Sequence, residues 1–167
     1  ANYQMYFDHW RYLQPIYPIY LSPIFFLNLN DSIYIFILHH LLYAGTLSLI
    51  YLTSRLLFNI KYALISCLFY AFHLQIIFWF NVALADIAFH LHLSLCMYYF
   101  IKLCIRWKNN TLFLTLGSGL LMALTRIEGI FIFIVICLLC IYIFFQNNYS
   151  FTHAILSQIL VIFVILF

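Results

Sequence analysis

Apolar positions in this chain come in long unbroken blocks, separated by short polar interruptions. The blocks cover about 32–54, 62–80, 87–101, 111–124 and 130–145, and a sixth begins near Phe151 and runs to Phe167. Asn28-Leu29-Asn30-Asp31, Arg55 to Lys61, Asn81 to Asp86, Lys102 to Asn110, Thr125 to Gly129 and Gln146 to Ser150 separate them. About 20 consecutive apolar residues cross a hydrocarbon core as a helix. The blocks lack the alternation of a membrane barrel strand. A backbone in lipid must satisfy its N–H and C=O groups internally, which leaves helices. The pattern predicts an all-α fold: a polytopic transmembrane helical bundle of five complete spans and a truncated sixth (151–167), with no sheet. Residues 1–167 then form part of one transmembrane domain.

The flanks refine this picture. Residues 1–31 read as an outer loop with interfacial character, where Tyr, Trp and His are interleaved with Pro15, Pro18 and Pro23. Proline fixes φ and lacks an amide hydrogen, so a long helix through 15–23 is not expected. Tyr and Trp favour the headgroup level. Asp31 or Ser32 is expected to cap the first span. The fourth block, 111–124, rises only about 21 Å and is short for a core of about 30 Å. The chain begins at Ala1 and stops inside an apolar run, Ile159 to Phe167, and so reads as an internal piece of a longer protein.

Composition agrees with the pattern. Of 167 residues, 68% are hydrophobic and 7% charged, against roughly 25% charged in a soluble domain. Such a chain cannot clothe a water-facing surface, so lipid is its first partner. Alternating spans put Arg55, Lys61, Lys102, Arg106 and Lys108 on one side, five of the seven basic residues, as the positive-inside rule expects. The four acids, Asp8, Asp31, Asp86 and Glu128, fall on the other side with Arg11 and Arg126. The five cysteines lie in or beside apolar blocks, which implies no disulfide framework.

Few residues carry candidate chemistry. Asp86 precedes a span: it is either an interfacial helix cap facing the positive end of the helix dipole or a carboxylate at the rim of an outer site. Arg126 and Glu128 flank Ile127 in the tightest outer turn. They are either an interfacial charge pair or a phosphate-binding site, since a guanidinium is a planar fork matched to phosphate oxygens. His90 and His92, like the adjacent His39 and His40, do not have the i, i+3 or i+4 spacing of a metal pair, so no metal site is expected. Cys137 and Cys140 have redox spacing but lie in an apolar block and read as core. Gly117 and Gly119 are expected to permit close helix packing. No nucleotide-binding motif occurs, and no nucleic-acid partner or resident cofactor is implied.

The order of several segments resembles a known family. Tyr17-Pro18-Ile19-Tyr20-Leu21-Ser22-Pro23 is similar to the proline and tyrosine loop that enters the membrane in polytopic glycosyltransferases. Leu52-Thr53-Ser54-Arg55-Leu56-Leu57-Phe58 looks like the end of their next helix. Asn81-Val82-Ala83-Leu84-Ala85-Asp86 resembles the segment that sets an Asp at the outer start of a helix. Leu116 to Gly129 resembles a Gly-rich helix ending in Thr-Arg-Pro-Glu-Gly, with Ile127 in place of the usual proline. Over roughly residues 15–145 the chain therefore resembles the GT-C glycosyltransferase superfamily, the class of protein O-mannosyltransferases and bacterial lipid A aminoarabinose transferases.

That resemblance implies a transferase of the bacterial inner membrane or endoplasmic reticulum. It would move a hexosyl or pentosyl group from a polyprenyl-phosphate sugar to an acceptor on the outer or luminal face. It also implies roles: Asp86 as general base, with Asp8 as a second carboxylate candidate, and Arg126 with Glu128 at the phosphate. The family's main acidic loop would lie upstream of Ala1. Two other classes fit an apolar chain: a transporter or channel subunit, and a structural subunit of a respiratory complex. A transporter is expected to carry repeated broken helices, and no internal repeat is visible. A structural subunit gives no reason for the acids to share one face.

Overall fold

The computed structural model describes residues 15–27, 30–72 and 85–146. Within them the chain forms six helices: α1 Ile16–Leu27, α2 Asp31–Leu57, α3 Ile60–Ala71, α4 Ala85–Ile105, α5 Asn109–Thr125 and α6 Ile127–Gln146. No strand occurs among the described residues. Each of the five complete apolar blocks contributes a helix, with the second described only as far as Phe72. The expected sixth span, 151–167, lies outside the described residues, as does Asp8.

Among the described residues three helices, not five, are long and apolar enough to cross a bilayer: Ile33–Leu57, Ala85–Ile105 and Ile127–Phe144. Two of the helices are shorter than a span requires. Helix α5 has 17 residues and rises only about 25 Å. Helix α3 has 12 residues, a rise of about 18 Å, and residues 73–84 beyond its end lie outside the description.

The proline-rich segment departs from expectation, because α1 is a helix across it. Pro18 falls in the first turn, where an amide hydrogen has no intrahelical acceptor to lose. Pro23 sits inside the helix and cannot donate to the Ile19 carbonyl. The Ser22 hydroxyl donates to that carbonyl instead, at 2.8 Å. The cap of α2 also differs from expectation. It is Asn30, not Asp31 or Ser32, and its side chain accepts from the Ile33 amide at 3.1 Å. Asn59 does the same for α3, accepting from Lys61 and Tyr62.

Helix α4 is the centre of the bundle. It contributes Phe89, Leu93, Cys96, Met97, Phe100, Ile101, Leu103 and Cys104 to the main buried cluster, with Met122 of α5 and Ile136 and Cys140 of α6. Helix α5 meets it with small and hydroxylated residues, Thr111, Thr115, Ser118, Gly119 and Ala123, together with Met122, all buried. Small residues let helix backbones approach closely where lipid supplies no hydrophobic drive between helices. The hydroxyls return their hydrogens to their own helix, Thr115 to the Thr111 carbonyl at 2.8 Å and Ser118 to Leu114 at 2.6 Å. Neither of these two donors is thus left bare in an apolar setting. Gly119 packs as expected: a Cβ there would stand 2.5 Å from the Phe133 ring. Gly117 does not, since it faces open space.

The outer surface is apolar. Phe131, Ile134, Val135 and Leu138 of α6 and Leu64, Leu68 and Phe69 of α3 are exposed. A surface of this kind is stable against acyl chains and not against water.

Helix direction sorts the charges. Leu38 and Leu42 of α2 pack with Ala85, Ile87 and Ala88 at the start of α4, while Leu57 reaches the main cluster. Helices α2 and α4 therefore run parallel. Trp107, just after α4, meets Phe144 near the end of α6 at 5.7 Å between ring centroids. Arg55, Lys61, Lys102, Arg106 and Lys108 thus lie toward one end of the bundle, and Asp86, Arg126 and Glu128 lie at the other. In the complete protein freed of its native cysteines, Arg55→Cys and Arg126→Cys are expected to react with an impermeant thiol reagent from opposite faces of sealed vesicles. Labelling of both from one face would overturn this arrangement.

Candidate functional site

The site forms at the acidic end, where α4 starts and α5 gives way to α6. The turn between α5 and α6 is a single residue. Thr125 ends one helix, Ile127 begins the next, and Arg126 between them is extended, with φ −148° and ψ 152°. Its amide still bonds to the Met122 carbonyl at 3.3 Å, and the Gly129 amide bonds to the Arg126 carbonyl at 3.0 Å. The corner is so tight that a Cβ on Gly129 would lie 2.4 Å from the Met122 carbonyl oxygen. Gly129 is the residue that lets α6 leave directly over the last turn of α5.

This corner aims the Arg126 side chain at two carboxylates and a ring. Its Nη1 pairs with Asp86 Oδ1. Its Nε and Nη2 donate to the two oxygens of Glu128 at 3.1 and 2.9 Å. The guanidinium carbon stands 5.9 Å from the centroid of Phe89, one turn after Asp86 on α4, within cation–π range. Asp86 and Arg126 are about one-third exposed and Glu128 about half. Two carboxylates against one guanidinium leave the cluster one net negative charge. Asp86 lies in the first turn of α4, as a carboxylate near the positive helix end should, and its oxygen serves Arg126.

A second polar chain runs beside this cluster. The Thr125 hydroxyl donates its one hydrogen to the Leu121 carbonyl at 2.7 Å. Its oxygen lies 2.8 Å from His92 Nδ1 and can only accept there, so His92 carries its proton on Nδ1. The other nitrogen, Nε2, then accepts from the Tyr20 hydroxyl at 3.0 Å. A neutral imidazole has one donor and one acceptor nitrogen, and this chain satisfies both. Burial raises the Tyr20 phenol above its ordinary range, which keeps it protonated and donating. The Tyr20 and His92 rings stack at 5.9 Å, and Tyr34 of α2 donates to the Tyr20 carbonyl at 2.9 Å.

The pairing of tyrosine with histidine recurs. Tyr17 meets His39 at 3.0 Å and Tyr70 meets His90 at 2.8 Å. Screening the histidines for metal spacing misses these partners. The available signal was different: an imidazole inside an apolar block requires a hydrogen-bonding partner, and the 14 tyrosines of the chain are a rich supply of hydroxyl donors. Among the described residues no three of His, Cys, Asp and Glu gather as a metal site. Cys140 is buried in the core and Cys137 half-buried, both as free thiols.

Of the expected site residues, the fold thus brings Asp86, Arg126 and Glu128 into one cluster. No family model, curated protein or solved structure matches this chain.

Proposed function

We propose that this chain is part of a multi-pass integral membrane glycosyltransferase. It moves a sugar from a polyprenyl-phosphate donor to a hydroxyl acceptor at the acidic end of the bundle. The observation that carries the reading is the contact of Asp86 with Arg126, a carboxylate and a guanidinium 40 positions apart in the chain and joined by Glu128. Apolar helices suit a substrate whose tail is dissolved in the bilayer, and a partly exposed cluster at their end suits its charged head. The resemblance to the GT-C class supports the same assignment, and the same reading sets the protein in the bacterial inner membrane or endoplasmic reticulum.

The chemistry follows from the residue types. The acceptor oxygen attacks the anomeric carbon, the bond from that carbon to the phosphate oxygen breaks, and the phosphate leaves with the electron pair. The acceptor's proton passes to Asp86, whose Oδ2 we assign as general base. Arg126 offsets the charge that develops on the leaving phosphate. Glu128 holds the two donors that a phosphate would take, in the bidentate geometry common to carboxylates and phosphates. Its carboxylate therefore stands in for the phosphate until the donor arrives. Glu128→Gln, which removes the competing charge, is expected to tighten binding of polyprenyl phosphate about two- to five-fold, the scale of an exposed ion pair. Retention of that lipid by the complete protein in nanodiscs measures it, and weaker binding would make Glu128 a ligand in its own right.

The reading itself is tested with the complete protein in vesicles holding a polyprenyl-phosphate sugar, labelled in the sugar, and a membrane extract as acceptor source. Label is expected to pass to an acceptor as free polyprenyl phosphate accumulates. A donor left intact by folded protein would overturn the proposal, and solute uptake by the same vesicles would assign the chain to transport.

A further inference from the structure

We infer that Tyr20, His92 and Thr125 are positioning residues, a directed chain through which the docking of α1 holds the Arg126 corner in place. Three observations support it. The chain has one polarity from end to end, from the Tyr20 hydroxyl through His92 to Thr125 and the Leu121 carbonyl. It ends on a backbone carbonyl, so it cannot relay a proton onward, and its effect is geometric. Both interior members are enclosed, with His92 3% and Thr125 0% exposed, so water cannot replace a lost partner and each break leaves an unsatisfied group.

The chain reaches the site through covalent adjacency. Thr125 is the last residue of α5 and precedes Arg126, whose side chain makes every contact of the charged cluster. His92 grips Thr125 from the side of α4, two turns below Asp86. Tyr20 in turn ties His92 to α1, and Tyr34 fixes the Tyr20 backbone from α2. Three helices thus meet at one imidazole, and α2 holds the first of them through the Tyr20 backbone. Removing the Tyr20 hydroxyl frees His92 to turn, which loosens Thr125 and the backbone that carries Arg126.

Hydrogen–deuterium exchange of the complete protein in nanodiscs tests this without reference to any ligand. Tyr20→Phe, His92→Asn and Thr125→Val are each expected to speed exchange in the segment 122–130 by roughly 2- to 10-fold, the worth of one buried hydrogen bond. Asn can still reach Thr125 in the manner of Nδ1 but is too short for Tyr20, so His92→Asn should match Tyr20→Phe, and the double variant should be no worse than either. Thr125→Ser, which keeps the hydroxyl, should restore slow exchange. Faster exchange confined to α1, or additive effects of Tyr20→Phe and His92→Asn, would overturn the inference. The positioning role rests on the proposed phosphate site only for its consequence, a weaker hold on polyprenyl phosphate by Tyr20→Phe that vanishes in an Arg126→Ala background. Altered exchange in a protein that binds no polyprenyl phosphate would leave the chain standing and sink the phosphate reading.

Discussion

In the complete protein, Arg126→Ala and Asp86→Asn are each expected to cut sugar transfer by about 10²–10³-fold with membrane insertion intact. Asparagine keeps the size of Asp86 and much of a carboxylate's ability to accept hydrogen bonds at a helix start. It cannot take a proton, and it no longer balances the guanidinium of Arg126. A structural carboxylate would survive the change and a working one would not. Arg126→Ala removes the donors that meet Asp86 and Glu128 at once, leaving two carboxylates near each other with no cation between them. Arg126→Lys separates charge from geometry: an ammonium restores the sign but not the planar fork, so it should recover only part of the loss. Transfer per folded molecule, measured on purified variants with equal unfolding profiles, decides the matter. Near-normal turnover in both Asp86→Asn and Arg126→Ala would reduce the cluster to an interfacial ion pair.

Gly129→Ala is expected to damage folding more than any other single methyl addition among the described glycines. A Cβ there would meet the Met122 carbonyl oxygen at 2.4 Å and the Ala123 Cα at 3.1 Å, both backbone atoms that cannot swing aside. The corner must open, α6 must shift over α5, and Arg126 moves with it. Overpacking of this kind costs about 3 kcal/mol, read as lost folded yield and a lower unfolding temperature in detergent. Gly117→Ala is the internal control. Nothing lies within 4 Å of its added methyl, and alanine is the better helix former by about 1 kcal/mol, so that variant should be unchanged or slightly more stable. Equal behaviour of the two variants would contradict the packing at the corner.

Much of the architecture was legible because it depends on local composition. Apolar blocks announce helices, since a backbone without water must bond to itself. The charge sorting also followed from the sequence: counting helices fixes which end of the bundle each break occupies, whatever the details of packing. That is why Asp86, Arg126 and Glu128 could be assigned to one end before any contact was known. Helix ends were less legible, because they are set by single side chains. Asn30 captures the Ile33 amide where Asp31 or Ser32 was an equally plausible cap, and Ser22 rescues the carbonyl that Pro23 strands, turning an expected loop into α1.

Tertiary structure alone decided the contacts within that end. The pairing of Arg126 with Asp86 requires a one-residue turn between α5 and α6 and a particular rotation of α4, and a rotation leaves no mark in an apolar block whose every face is hydrophobic. The same holds for His92, which the sequence presents only as one histidine two places from another. Its partners come from α1 and α5, 72 and 33 positions away. The chain by itself determined that this protein is helical, apolar and charged oppositely at its two ends. Which of its few polar atoms meet was left to the close approach of α4 and α5, where buried donors and acceptors have no water to turn to and must find each other.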